Sequence, residues 1–167
     1  MFKTLLLVLA LQTPQITRLP LPATAIRDST KNLIVIHNDG ANMNATDTRR
    51  VLQRRGLSYH YFIDRGGRIY QFVDPKYVAE HAGISWYNGM LSWNHFSIGI
   101  CLQGTNGLAY SDRQYESLQI LINHLKQRYT NIGNQLYTHS QIAFPWGRKS
   151  DPGETFDATR IRIDTLT

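Results

Sequence analysis

Cysteine is nearly absent. The 167-residue chain has one, Cys101, so no internal disulfide can form and the core must be held by packing. Charge is sparse too. Asp, Glu, Lys and Arg make up only 18% of residues against 42% hydrophobic, which excludes a disordered chain. No apolar run approaches the roughly 18 residues that a membrane-spanning helix needs; the run Thr4 to Leu11 (TLLLVLAL) is far too short. Internal repeats, linkers and zinc-finger, RNA-recognition or helix-turn-helix signatures are all missing. The formal charge is +6, but basic residues are scattered apart from Arg49-Arg50 and Arg54-Arg55, which read as a solvated helix face. Nucleic acid is therefore not the expected partner. What remains is one domain long enough to bury its own core.

The N-terminus has the pattern of an export signal. Met1-Phe2-Lys3 supplies a small positive region, TLLLVLAL an apolar one, and Ala23-Thr24-Ala25 an A-x-A cleavage site. The expectation is a signal peptide over 1–25, a mature domain over 26–167, and a secreted or periplasmic monomer with no integral membrane segment. Removing Lys3 and Arg18 with that leader lowers the formal charge to +4. An uncleaved tail or anchor is the competing reading.

Along the remaining chain, Leu33 to Ile36 is a continuous apolar run that predicts a strand buried on both faces and ending in His37. Thr46 or Asp47 is placed to cap a helix through Arg55, with Gly56 ending it. Tyr59 to Asp64 and Arg68 to Val73 flank Arg65-Gly66-Gly67 as a hairpin. Residues 74–94 show no period, and so long a loop in one domain points to function. Ser97 to Leu102 alternates: Ile98, Ile100 and Leu102 form a core face, while Ser97, Gly99 and Cys101 form a small-residue face with room above it. Ser111 to Tyr129 reads as an amphipathic helix opened by a Ser111/Gln114 capping box. Gln135 to Thr138 has strand character, and Asp157 to Leu166 suits a short terminal helix with Ile161 inward. The fold class is α/β, with a single mixed central sheet flanked by helices.

The chemistry gathers in YTHSQIAFPWGRKSDPG, residues 137–153. His139, Lys149 and Asp151 stand on one loop whose Pro145, Gly147, Pro152 and Gly153 argue against a helix between the two candidate ligands. With His37, the two imidazoles and the carboxylate form a three-ligand set suited to Zn²⁺, leaving a position open for water or a carbonyl. For His139 alone, an ordinary surface loop is the simpler reading.

The segment HSQIAFPWGRKSDPG resembles the H-x-x-I-A-P-G-R-K-x-D-P-G motif of the type 2 N-acetylmuramoyl-L-alanine amidases, zinc hydrolases of bacterial cell wall, with Phe144 and Trp146 interleaved as two extra residues. The resemblance continues, in the family's order, through IVIHNDG, SYHYFIDRGGRIYQFV, EHAGISWYNG and NHFSIGICLQG, from about Asn32 to Asp157. It implies a fold like that of peptidoglycan recognition proteins and cleavage of the bond between N-acetylmuramic acid and L-Ala in peptidoglycan or muropeptides. It also implies His37, His139 and Asp151 as zinc ligands and Lys149 as the stabiliser of developing negative charge.

In one branch of the family the strand similar to SIGICLQG carries a catalytic Glu where Cys101 stands here. Another branch instead has a Tyr at the position of Tyr59. Tyr59 is accordingly expected to position the water or polarise the carbonyl, and Cys101 to line the cleft, since no Cys/His signature makes it a nucleophile. His81, Trp86 and Tyr87 match the family's H-A-G-x-S-x-Y region and, with Asn94 just before the small-faced strand, are expected to contact substrate, although for Trp86 alone core packing is an equal reading; His60, His95 and His124 read as structural or surface histidines. The alternative function is a recognition module that binds peptidoglycan without catalysis.

Overall fold

The computed structural model describes residues 12–28, 32–129 and 131–162. Six strands form one sheet in the order β1 (Ile16–Arg18), β4 (Ile69–Gln71), β3 (Tyr61–Ile63), β7 (Ser97–Leu102), β2 (Asn32–Asn38) and β8 (Ile132–Thr138). Every pairing is parallel except the β3–β4 hairpin. The expected mixed central sheet is therefore present.

Helices α1 (Ala45–Arg55) and α2 (Asp112–Arg128) accompany the sheet. On one face, Ile34, Ile36, Ile98, Ile100 and Leu102 meet Leu118, Leu121, Ile122 and Leu125 of α2. These four helix residues are fully buried. Each such side chain contributes about 1.5–3 kcal/mol, which makes this layer the main source of stability. The capping box is formed at the start of α2. Ser111 Oγ accepts from the Gln114 amide and Gln114 Oε1 from the Ser111 amide, each at 3.1 Å. On α1 the cap is Asn44, not Thr46 or Asp47, because its Oδ1 reaches the Asp47 amide at 3.0 Å; Gly56 closes the helix at φ 63°.

Four expectations are corrected. Residues up to 25 are not all outside the core: β1 adds an edge strand to β4, and Leu21 is buried among Leu52, Phe62 and Phe72. The Ala25 carbonyl accepts from Val78 N at 2.8 Å. The apolar run Thr4–Leu11 itself lies outside the described residues. Second, the 74–94 segment contains a small hairpin, β5 (Trp86–Tyr87) with β6 (Met90–Leu91), turned by Asn88-Gly89 at positive φ on both residues. Third, a single helical turn, α3 (His139–Ile142), does form between the two loop ligands, because the first breaker, Pro145, lies beyond its end. Fourth, the C-terminal helix is only a 3-10 turn, Ala158–Arg160, within the described residues, although Ile161 is buried.

Candidate active site

Three separate stretches converge at the C-terminal ends of the parallel strands. The buried apolar run of β2 delivers His37, paired in register with Cys101 on β7. β8 ends at Thr138 and hands His139 to the first position of α3. Asp151 arrives from the following loop. His37 Nδ1 lies 3.1 Å from Asp151 Oδ2, and His139 Nδ1 lies 3.1 Å from the same carboxylate. The two imidazole centroids are 4.5 Å apart. One ligand atom from each of the three residues lies within 4.8 Å of the others, close enough to share a metal ion.

The remaining ring nitrogens show that the set suits a metal. His139 Nε2 sits 3.1 Å from the Ala82 carbonyl, which can only accept, so Nε2 is a donor and Nδ1 is the nitrogen that a metal could use. For His37 the same logic runs through a chain. Ser97 O–H donates to the Trp93 carbonyl at 2.5 Å. Ser97 Oγ therefore accepts from His81 Nε2 at 3.2 Å, and His81 Nδ1 accepts from His37 Nε2 at 3.0 Å. The His37 Nδ1 lone pair is left facing Asp151, as hydrogen-bonded outer partners do for metal-bound histidines.

Electrostatics agree with that arrangement. Burial, aided by the neighbouring His139, lowers His37 to about 4, so its imidazole is neutral near pH 7. His81 is pushed well down by burial and by the imidazoles around it. Burial would raise the Asp151 carboxyl, but the His139 and His37 rings beside it outweigh that and hold the group well below the usual carboxylate range. A neutral His37 imidazole and an ionised Asp151 carboxylate are protonation states that binding a divalent cation requires.

The loop bearing Asp151 is anchored by residues that motif matching passed over. Asn38 Nδ2 and the Tyr110 hydroxyl both donate to the Pro152 carbonyl, at 3.1 and 2.7 Å. The Asp151 carbonyl accepts from Ser140 N at 3.0 Å. Gly153 has φ +84°, and a Cβ there would lie 2.5 Å from Asn106 Cα, so no larger residue fits. The room above the small face of β7 is also accounted for. It is filled by the His81 ring, which a Cβ on Gly99 would meet at 2.5 Å.

Of the three candidate ligands, His139 and Asp151 line a cleft of about 660 Å³, whose lining also includes Asp39, Tyr59, His81 and Lys149. Lys149 is exposed at its wall. The Tyr59 ring lies 5.1 Å from that of His37, and burial together with the nearby Cys101 raises its hydroxyl well above the ordinary value. It is thus a hydrogen-bond donor at neutral pH.

The other expected residues divide. Cys101 is fully buried, packs with Tyr59 and has no surface in the cleft, so its expected lining role is corrected. Asn94 is buried and its Oδ1 accepts from the amides of His81 and Ala82 at 3.0 and 2.6 Å, which makes it a clamp on the loop behind the ligands. Tyr87 packs edge-on against Trp93 and Tyr137. Trp86 is on the surface beside Phe144 and Trp146. Of the four expected substrate contacts, only His81 lines the cleft. His60 is a buried core histidine, its Nε2 3.0 Å from the Tyr77 carbonyl.

With this geometry in hand, the comparisons with known proteins are decisive at the level of family. The profile described as N-acetylmuramoyl-L-alanine amidase matches residues 27–154. The chain belongs to that family. A relative, the 1,6-anhydro-N-acetylmuramyl-L-alanine amidase AmpD of Citrobacter freundii, is 46% identical over 106 residues, covering 64% of this chain and 56% of its own. The chain thus spans little more than half the length of the curated relatives it matches. The crystal structure of a selenomethionine derivative of AmpD has a TM-score of 0.72 at 34% identity, covering 89% of this chain and 93% of that one. The E. coli N-acetylmuramyl-L-alanine amidase AmiD, solved with anhydro-N-acetylmuramic acid-L-Ala-D-γ-Glu-L-Lys, gives 0.67 at 27% identity, covering 82% and 58%. A Drosophila peptidoglycan recognition protein, PGRP-SD, shares the fold alone: TM-score 0.66 at 16% identity, covering 88% and 93%.

Proposed function

We propose that this chain is a zinc-dependent N-acetylmuramoyl-L-alanine amidase acting on peptidoglycan or its fragments. The observation that carries the reading is the convergence of His37 Nδ1, His139 Nδ1 and the Asp151 carboxylate, with both imidazole tautomers set by outer hydrogen bonds. A zinc ion held there would supply Lewis-acid polarisation of the scissile carbonyl and a lowered pKa for water. The names of AmpD and AmiD, and the muropeptide bound to AmiD, support the substrate class.

The protein's own groups then have distinct tasks. Hydrolysis forms a C–O bond from water to the lactyl carbonyl and breaks its C–N bond to L-Ala, whose amine takes up a proton. Tyr59, neutral and beside His37, donates a hydrogen bond to the carbonyl or holds the water. Lys149, two residues before Asp151 and on the cleft wall, places its ammonium where negative charge develops as the carbonyl becomes tetrahedral. The complete ligand set and Lys149 favour an enzyme over a binding module. No helix among the described residues is long and apolar enough to cross a membrane. We also propose export, carried by the 1–11 segment rather than by cleavage after Ala25, since residues 16–25 pack into the fold.

The test is mass spectrometry of products from purified sacculi and soluble muropeptides. Stem peptides with a free L-Ala amino terminus are expected, lost on chelation and regained with Zn²⁺. Intact substrate in the presence of metal-loaded protein would reject the reading.

A further inference from the structure

Beside the cleft the surface carries an aromatic ridge that the chemistry of the site does not use. Trp86, Phe144 and Trp146 are 39%, 42% and 57% exposed. The Trp86 ring lies 6.2 Å from Phe144 and 6.0 Å from Trp146, both edge-on. Ile84 and Leu91 are also exposed and neighbour the ridge, Ile84 O accepting from Phe144 N and Leu91 pairing in register with Trp86. Phe144 and Trp146 are the two residues by which this loop exceeds the family motif, so the fold and the ligand set do not require them. Contiguous exposed apolar surface of this kind marks an interaction site.

The ridge is rigidly continuous with the catalytic cleft. Arg148 Nη2 donates to the carbonyls of Ala82 and Ile84 at 3.0 and 2.6 Å, and its Nε to that of Phe144 at 3.0 Å. Phe144 N donates to Ile84 O at 3.1 Å. The Ala82 carbonyl is also the one that accepts from His139 Nε2. One guanidinium therefore ties both ridge segments to the backbone that orients a candidate metal ligand, and Arg148 and Gly83 line the cleft itself.

We propose that this ridge binds the sugar rings of a glycan strand flanking the muramic acid in the cleft, making polymeric wall the preferred substrate over released muropeptides. The proposal rests on the amidase reading. Pyranose rings present apolar C–H faces that aromatic rings cover well, with polar edges for hydrogen bonding. Segments 83–92 and 143–148 match that chemistry: they hold aromatics, Asn88 and Ser92, and no acidic residue. A membrane surface is the poorer fit, because interfacial binding draws part of its strength from clustered, available cations. The single cation of these segments, Arg148, is already bound to three carbonyls.

The experiment uses peptide-free glycan strands as the probe, with binding followed by calorimetry or tryptophan fluorescence. Wild-type protein is expected to bind them, and Trp146→Ala with Phe144→Ala to weaken binding about tenfold or more, as loss of aromatic anchors does. Both side chains are exposed, so zinc content and melting temperature should match wild type and exclude misfolding. In the same variant the ratio of initial rates on sacculi to those on an N-acetylmuramoyl tripeptide should fall about tenfold. Unchanged glycan affinity and an unchanged ratio would overturn the proposal. So would Trp146-dependent binding to phosphatidylglycerol vesicles without binding to glycan. Glycan binding with no peptide release from either substrate counts against the amidase reading alone.

Discussion

His37 Nε2 lies 3.0 Å from His81 Nδ1, and that contact decides which nitrogen of His37 is free to bind a metal. Were the proton on Nδ1 instead, the ligand set would lose one of its two imidazoles. His81→Ala removes the acceptor and lets the His37 ring change tautomer or turn. Loss of an outer partner of this kind costs about 10–100-fold in metal affinity. His81→Gln offers an amide oxygen in place of Nδ1 and should recover part of it. Chelator competition for Zn²⁺ measures both, and an unchanged affinity in His81→Ala would remove the Ser97–His81–His37 chain from any account of the site.

Strand and motif positions were readable because their signals are local. The apolar run before His37, the alternation of Ser97–Leu102 and the stripe of α2 each express burial as a period in sequence. The partners that orient the ligands were not readable. The link from His37 through His81 to Ser97 joins three segments brought together only by the fold. The misplacement of Asn94 has the same origin. Its motif neighbourhood marks a substrate loop, but its amide oxygen faces inward onto two backbone N–H groups. The packing of residues 16–25 was missed for another reason: an A-x-A pattern is a statement about processing and carries no information on whether Leu21 finds a hydrophobic neighbour.

That neighbour makes residues 12–25 testable as part of the domain. β1 pairs with β4 through Ile16, Thr17 and Arg18, and the Leu19 and Leu21 N–H groups continue by donating to the Gln71 and Phe72 carbonyls at 3.0 and 2.7 Å. A chain starting at Ile26 loses this strand and uncovers Phe62 and Phe72. Leu21→Ala alone should cost about 2–4 kcal/mol, the usual range for a buried leucine. Urea denaturation of the Leu21→Ala variant and of residues 12–167 and 26–167 reads both effects. Equal midpoints for the two truncated chains would place residues 12–25 outside the stable unit.

Acid should destabilise the metal-free protein in a defined window. His60 is fully buried with Nδ1 accepting from Gly99 N at 3.0 Å, and burial lowers it from 6.5 to about 3. His37 is lowered to about 4. Above pH 6.5 these rings are neutral whether folded or unfolded, and they contribute no pH dependence. Below it the unfolded chain binds the protons and the folded chain does not, so stability falls as pH drops from 6.5. Each such imidazole contributes up to about 1.4 kcal/mol per pH unit. Melting temperatures between pH 7 and 4.5 should decline throughout, with more than one proton taken up on unfolding at pH 5. A flat profile would mean these rings are not held neutral.

The last test separates Tyr59 from Lys149. Both face the cleft, but their chemistry differs: one is a neutral donor beside His37, the other a cation on the wall. If each acts as the carbonyl becomes tetrahedral, its loss falls on kcat with KM little changed. Tyr59→Phe removes only a hydroxyl, and Lys149→Met keeps the apolar stem. Each should lower kcat by on the order of 10²–10³, the usual cost of one oxyanion donor, with zinc retained. Cys101→Ser provides the contrast. Its side chain is fully buried behind Tyr59 and contributes no group to the cleft, so a small change in volume should leave turnover within a few-fold of wild type. Steady-state kinetics on a soluble muropeptide decide the matter. Wild-type kcat in Tyr59→Phe would exclude the hydroxyl from the reaction, whereas collapse of kcat in Cys101→Ser with zinc bound would move the essential group to the thiol.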